Sequence, residues 1–297
     1  MLLEIKMNWT VLDKEAHMVL REFLLREKNI SRSMLTDIKF KGGRLLVNGV
    51  HQNVRTVLNE GDVVEVVFPE EQISDTMYPQ QLPLRVCYED DHFLLINKQA
   101  NLPTIPSRHS TASLAEGVLH YYKTSNLNRT IHAVNRLDRD TSGLVLFAKH
   151  RYAHDLLSRQ QKNKEMKRSY LAFVHGELEE DGEVEAPIGR KDGSIIERTV
   201  RSDGQYALTK YQTVSRYNDF SLLRLSLQTG RTHQIRVHMA HIGHPLLGDD
   251  LYGGTKDLIS RQALHSAELE FYHPFLQKKL RFEAELEEDM RELIKTK

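Results

Sequence analysis

The run Leu144-Val145-Leu146-Phe147-Ala148, five apolar residues directly after Gly143, constrains this chain most: it reads as a strand buried in a covered sheet. Other strand-like runs surround it in sequence. Arg85–Tyr88 and Phe93–Ile96 bracket the acidic turn Glu89-Asp90-Asp91, Tyr170–Val174 follows later, and Leu223, Leu225 and Leu227 alternate as on a strand with one covered face. Leu114, Val118 and Tyr122 recur at helix spacing between them. Strands dominate with helices interspersed, and no fixed-period repeat points to a solenoid or propeller.

The N-terminal part has its own pattern. Ala16, Val19, Leu20, Phe23 and Leu24 predict an amphipathic helix over residues 13–28 with Asp13 as cap. Ser31-Arg32-Ser33 opens a second helix through Met34, Leu35 and Ile38, which Gly42-Gly43 stops. Asn48-Gly49 after Leu45-Leu46-Val47 signals a hairpin, and Val63–Phe68 a further strand. Residues 10–69 therefore read as a compact α/β unit, 70–83 as an aperiodic linker, and 84–297 as the main domain.

Charge narrows the possible functions. Lys and Arg number 41 and so do Asp and Glu, which excludes a uniformly basic nucleic-acid coat and leaves only a local footprint. Residues 129–170 hold ten Lys/Arg against four Asp/Glu, either a solvated surface or the footprint of a phosphate-bearing ligand. Cys87 is the single cysteine, so no internal disulfide and no thiolate zinc cluster can form, and a reducing compartment, the cytoplasm, is expected. No apolar run approaches the roughly 20 residues that span a bilayer, and the first residues lack the pattern of a signal peptide.

Two polar knots stand out. The first, Asn135–Gly143, runs straight into the buried strand, where a rigid scaffold can fix reactive side chains. Arg136 and Arg139 flank Asp138, which they are expected to keep ionised and competent as a nucleophile; a structural Asp-Arg turn is the alternative. The second, Thr229–His238, opens a helix carrying Ile235, Met239 and Ile242, with Thr232 as a possible cap. Arg231 and Arg236 are five positions apart, roughly 140° around a helix, so only one of them can serve a given carboxylate. His233, His238, His241 and His244 lack a His-Glu-x-x-His spacing or a nearby carboxylate at ligand spacing, so no metal is expected. Ser142 lacks the Gly-x-Ser-x-Gly elbow, and no glycine pair matches a phosphate loop.

The stretches 135–149 and 227–253 resemble the signatures of the RluA/RluD family of RNA pseudouridine synthases, supported by 87–107 and 167–178. Residues 31–49 and 60–66 resemble the small RNA-binding domain named after ribosomal protein S-four. The resemblance implies an α+β fold: a catalytic domain with a central, largely antiparallel sheet plus a small N-terminal α/β RNA-binding domain. It implies an isomerase, an intramolecular transferase converting uridine to pseudouridine without cofactor or metal. Asp138 takes the role of nucleophile, Tyr170 of stacking partner for the uracil and proton acceptor, Arg236 of partner to Asp138, and Arg136 of the side chain filling the space left by the flipped base. A base inside a helix must be extruded before its glycosidic link can change. Arg32, Lys39, Lys41 and Arg44 would add a phosphate grip, with Arg139 and Arg231 as further RNA contacts.

Structured RNA is the expected partner, ribosomal rather than transfer RNA, and a monomer the expected state. A non-catalytic RNA-binding or ribosome-assembly factor is the alternative. Asn135 stands where many members have His, and Lys98-Gln99-Ala100-Asn101 replaces the usual Lys-Pro-Ala-Gly, which leaves loop geometry and substrate choice open. The choice between attack at ribose and at uracil is also open.

Overall fold

In a computed structural model describing residues 4–72, 77–106, 111–127 and 129–295, the N-terminal unit comprises β1 (Lys6–Thr10), α1 (Leu20–Glu22, continued by a π turn over Phe23–Glu27), α2 (Arg32–Phe40), β2 (Arg44–Val47), β3 (Val50–His51) and β4 (Val63–Val67). The strands form an antiparallel sheet in the order β1-β4-β2-β3. Asn48 and Gly49 both take positive φ, as a two-residue hairpin turn requires. Ser31 caps α2 by accepting from the Met34 amide. Leu20, Phe23, Leu24, Met34, Leu35 and Ile38 pack on Leu45, Val64 and Val66.

Two sequence expectations change here. The helix predicted over 13–28 is broken: a short 3-10 turn covers Asp13–Glu15, His17 is left-handed, and regular helix starts only at Leu20. The apolar spacing was real, but the amides of His17, Leu20 and Arg21 bond to carbonyls of Leu58, Thr56 and Val54 instead of continuing a helix. The unit also begins before residue 10, because β1 forms its sheet edge. Its alternating half-exposed pattern carries little apolar signal.

The main domain contains β5 (Val86–Glu89), β6 (Phe93–Lys98), α3 (Leu114–Thr124), β7 (His132–Ala133), β8 (Ser142–Ala148), α4 (Arg151–Lys162), β9 (Lys167–His175), β10 (Gly182–Glu185), β11 (Ile188–Arg190), β12 (Arg198–Val200), β13 (Leu208–Arg216), β14 (Phe220–Leu227), α5 (Gln234–His241), β15 (Leu264–His273), β16 (Lys278–Glu283) and α6 (Glu288–Lys295). The central sheet runs β10-β13-β14-β9-β15-β8-β6-β5, with β16 on β15 and β7 on β8. Every pairing in it is antiparallel except β8 with β15. All seven residues of β8 are buried, because α3 packs over one face of the sheet and α4 over the other. β11 and β12 form a separate hairpin. No described helix is long and apolar enough to cross a membrane.

The segment expected as a free linker is held down where it is described; residues 73–76 of it lie outside the described residues. Glu71 accepts from Thr130 Oγ1 and from the Arg151 amide and pairs with His132 Nε2 at 2.5 Å, while Met77 and Leu82 pack on the main core. The N-terminal unit docks on α4. Tyr152 inserts into its core, stacks on Phe68 at 5.2 Å and donates to the Lys28 carbonyl, and Arg151 pairs with Asp37 at 2.6 Å.

Beneath that docking face His150 caps α4, its Nδ1 accepting from the Ala153 amide, so its Nε2–H donates to His92 Nδ1 at 3.0 Å. Both rings must be neutral for this pair. Burial holds His92 at about 4 and His150 at about 3, against an ordinary 6.5. As pH falls below 6.5 the unfolded chain takes up protons before the folded one. Stability is therefore expected to fall between pH 6.5 and about 4. Urea midpoints across that range measure it, and His150→Asn, which keeps a cap acceptor without a titrating ring, should flatten the decline.

Candidate active site

The first knot is a loop pinned from both sides. Asn135 is buried, donates to the Leu144 carbonyl at 3.0 Å and accepts from the Leu146 amide at 2.8 Å, so it ties the loop to β8 without needing charge. Thr104 Oγ1 donates to the Leu137 carbonyl and accepts from its amide. Lys98 Nζ, fully buried, donates to the carbonyls of Gln99, Leu102 and Arg139 at 2.8–3.0 Å. Burial pushes Lys98 down to about 7, while Asp138 and Asp140 pull the other way; three carbonyl acceptors use all three ammonium protons. Gly143 follows at φ 109°, where any Cβ would overlap the Ser266 carbonyl. That contact sits where β8 meets β15, and Ser266 is also the register partner of Tyr170 on β9.

The second knot does not start as predicted. His233, left-handed at φ 57°, precedes α5 in place of Thr232. The Gln234 side chain fixes this turn: it accepts from Thr229 Oγ1 and the Arg231 amide and donates to the Leu208 carbonyl. Arg231 thus lies before the helix and turns out to Gln205 Oε1 and the Tyr206 carbonyl, both at 2.9 Å. Arg236, on the first turn, points inward.

Asp138 and Arg236 meet across 98 residues of chain, Arg236 Nη1 donating to Asp138 Oδ2 at 3.1 Å. Asp249, unremarked in the sequence, takes the other side of the guanidinium: Nε donates to its Oδ2 at 2.7 Å and Nη2 to its Oδ1 at 2.8 Å. Burial disfavours the Arg236 charge, but hydrogen bonding and charge from Asp249, with Asp138 added, raise its pKa above the usual arginine value. Asp249 is 1% exposed, Asp138's side chain 28%. The carboxylate open to a ligand is therefore Asp138.

The arginines flanking Asp138 do not pair with it. Arg136 is exposed and makes no ion pair among the described residues, and Arg139 pairs with Asp140 at 3.0 Å. The guanidinium that reaches Asp138 is Arg236 instead. Tyr170 is buried in the packed cluster that holds Leu137 and Ile235, the chain neighbours of Asp138 and Arg236. Tyr252, also missed, lies under Arg236 with its ring centroid 4.9 Å from the guanidinium carbon. Both missed residues sit just after Gly248, whose positive φ and contact with the Arg261 carbonyl leave no room for a side chain. The acidic pair after that glycine was the available signal.

The remaining sequence candidates lie elsewhere. Arg32 and Lys39 are exposed on α2, Lys41 pairs with Asp37 and Arg44 with Glu4. His238 bonds Thr209 Oγ1 and the Ala186 carbonyl, and His244 bonds the His175 carbonyl. Among the described residues no group of three His, Cys, Asp or Glu is placed to hold a metal ion. The arrangement offers one accessible carboxylate, a fixed cation behind it and aromatic rings nearby, which suits nucleophilic attack on an electron-poor carbon.

Residues 92–241 match the RNA pseudouridylate synthase family. The chain is 54% identical over 271 residues to an uncharacterized RNA pseudouridine synthase, YjbO, of Bacillus subtilis (strain 168), covering 91% of this chain and 96% of that one. It is 37% identical over 281 residues to ribosomal large subunit pseudouridine synthase D of Xanthomonas campestris pv. campestris, covering 89% and 84%. Its fold is similar to that of human RNA pseudouridylate synthase domain containing 1, with TM-score 0.58 and 22% identity over 74% of this chain and 96% of that one.

Removing one partner of the buried pair should expose its importance. Asp249→Ala strands a buried guanidinium and is expected to destabilise the fold by about 3–5 kcal/mol, read by chemical denaturation.

Proposed function

The chain belongs to the RNA pseudouridine synthase family and isomerises uridine to pseudouridine in RNA, and we propose that its target is ribosomal RNA of the large subunit, with Asp138 as the nucleophile. The observation that carries the assignment to Asp138 is its half-open carboxylate, held by an Arg236 that Asp249 has already fixed.

The reaction breaks the bond from uracil N1 to ribose C1′ and makes one from uracil C5 to the same carbon. The proton on C5 is lost and N1 gains one. A uridine stacked in RNA must first leave the stack, at a cost of a few kcal/mol. Arg136, exposed at the rim of the loop, is proposed to fill the vacated space. Asp138 then attacks the everted nucleotide, Arg236 holds its carboxylate in place, and Tyr170 stacks on the base while it turns and accepts the proton. The N-terminal unit, through Arg32, Lys39, Lys41 and Arg44, is proposed to hold phosphates, with Arg139 and Arg231 nearer the cleft; such contacts position RNA without reading sequence. A cytoplasmic monomer completes the reading.

Tritium placed at uracil C5 is released when the new bond forms. Asp138→Asn is expected to lower that release by roughly a thousandfold or more while RNA affinity stays within about threefold. Full turnover in this variant would end the assignment. Mapping pseudouridines in ribosomal and transfer RNA from cells with and without the gene tests the target. Replacing Arg32 and Lys39 together by Gln should raise KM, leave kcat unchanged and flatten the dependence of log affinity on log salt by about one to two units.

A further inference from the structure

His233 stands beside Asp138, and the proposed mechanism leaves it without a task. Its Nε2 stands 3.8 Å from Asp138 Oδ2, the same oxygen that Arg236 Nη1 reaches at 3.1 Å. Its Nδ1 lies 2.8 Å from the Tyr252 hydroxyl, which also accepts the Arg198 amide at 2.9 Å. A backbone amide can only donate, so that bond occupies an acceptor site of the hydroxyl. Among the described residues the one acceptor in reach of the hydroxyl proton is His233 Nδ1. A neutral ring accepting at Nδ1 carries its proton on Nε2, the nitrogen that faces Asp138.

We infer that His233 is a positioning residue, held by Tyr252 in the Nε2–H tautomer so that it and Arg236 fasten Asp138 Oδ2 and turn Oδ1 toward the substrate. The inference rests on Asp138 as nucleophile. Both described donors converge on Oδ2, and none among the described residues binds Oδ1. Oδ1 then gives the electron pair of the new bond to the substrate carbon, and Oδ2 becomes the carbonyl oxygen of the adduct with both donors in place. If that carbon is C1′, the electrons of the broken bond leave with uracil N1; if it is a ring carbon of uracil, they move onto the ring. At 3.8 Å the His233 contact is longer than a hydrogen bond, and contacts of this kind commonly close only when substrate binds.

The surroundings favour the neutral ring. Burial lowers the His233 pKa; Asp138 and Asp249 oppose this, while Arg236 and Arg198 reinforce it. His233 needs its left-handed backbone to stand across from Asp138, a strained conformation of the kind that gathers at functional sites. The Tyr252 anchor also reaches the β11–β12 hairpin, because the Arg198 amide belongs to β12. A shift of that hairpin on RNA binding would reach His233 through two hydrogen bonds and Asp138 through the 3.8 Å contact.

The test uses the full chain with ring-15N histidine. The NMR spectrum of the free enzyme should show His233, assigned by its loss in His233→Gln, with a protonated Nε2 and an unprotonated Nδ1, and Tyr252→Phe should scramble that preference. In tritium release, His233→Ala is expected to lower kcat about tenfold with KM within about twofold, and His233→Gln, which keeps a donor near the Nε2 position, to recover most of the loss. A proton on Nδ1, or a His233→Ala enzyme with unchanged kcat, overturns the inference while leaving Asp138 intact. Loss of the Asp138 requirement itself is read separately from Asp138→Asn.

Discussion

A guanidinium that cannot leave its place organises this protein. Arg236 is buried between two carboxylates, and a lone cation there would cost several kcal/mol. Asp249 satisfies it with two hydrogen bonds and is itself buried, so those two charges cancel. Asp138 adds a second negative charge to the same cation. Of the two acids Asp138 is the more exposed, so it is the one that solvent or a ligand can reach. One accessible carboxylate beside a buried cation thus follows from two acids on one base with unequal burial.

The sheet explains why these groups can meet. Among the described residues β8 and β15 form the single parallel contact of the central sheet, confined to two register pairs at Ser142 and Gly143. Gly143 permits that close approach, and directly upstream the chain leaves the sheet as the Asp138 loop. β9, carrying Tyr170, is the next strand across. Lys98 and Thr104 bond the loop backbone at Arg139 and Leu137, and Asn135 bonds β8, so hydrogen bonds to neighbouring elements set the loop's position.

Much of this was legible in the sequence. Periodicity marked β8, β9, β14 and α3, and Asn48-Gly49 marked its hairpin, because burial and turn chemistry leave local traces. The motif resemblance pointed to Asp138 and Arg236, which the structure brings into contact, while spacing separated the directions of Arg231 and Arg236 for an inexact reason, since Arg231 precedes the helix. Asp249, Tyr252 and His233 carry no periodic signal; their roles arise from long-range convergence around one side chain. The break before α1 and the edge strand β1 were hidden because tertiary hydrogen bonds overrode a helical pattern in one case and little apolar surface was buried in the other. Asn135 shows the opposite lesson: a residue that departs from the family pattern fits because its amide supplies both a donor and an acceptor to β8.

Zero net charge is compatible with an RNA substrate once the state of each cation is considered. Arg236 is buried with Asp249, and Arg261, itself buried, pairs with the more exposed Asp289, so both arginines are committed to the fold. Lys41 and Arg44 are exposed and share Asp37 and Glu4. Exposed pairs of that kind contribute roughly 0–1 kcal/mol, so exchanging a carboxylate for a phosphate there costs little. Arg151, in contrast, shares Asp37 while joining the N-terminal unit to α4. A phosphate that drew Lys41 away would leave Asp37 to Arg151 alone. The cation proposed to hold phosphate and the docking of the N-terminal unit on α4 therefore meet at one carboxylate.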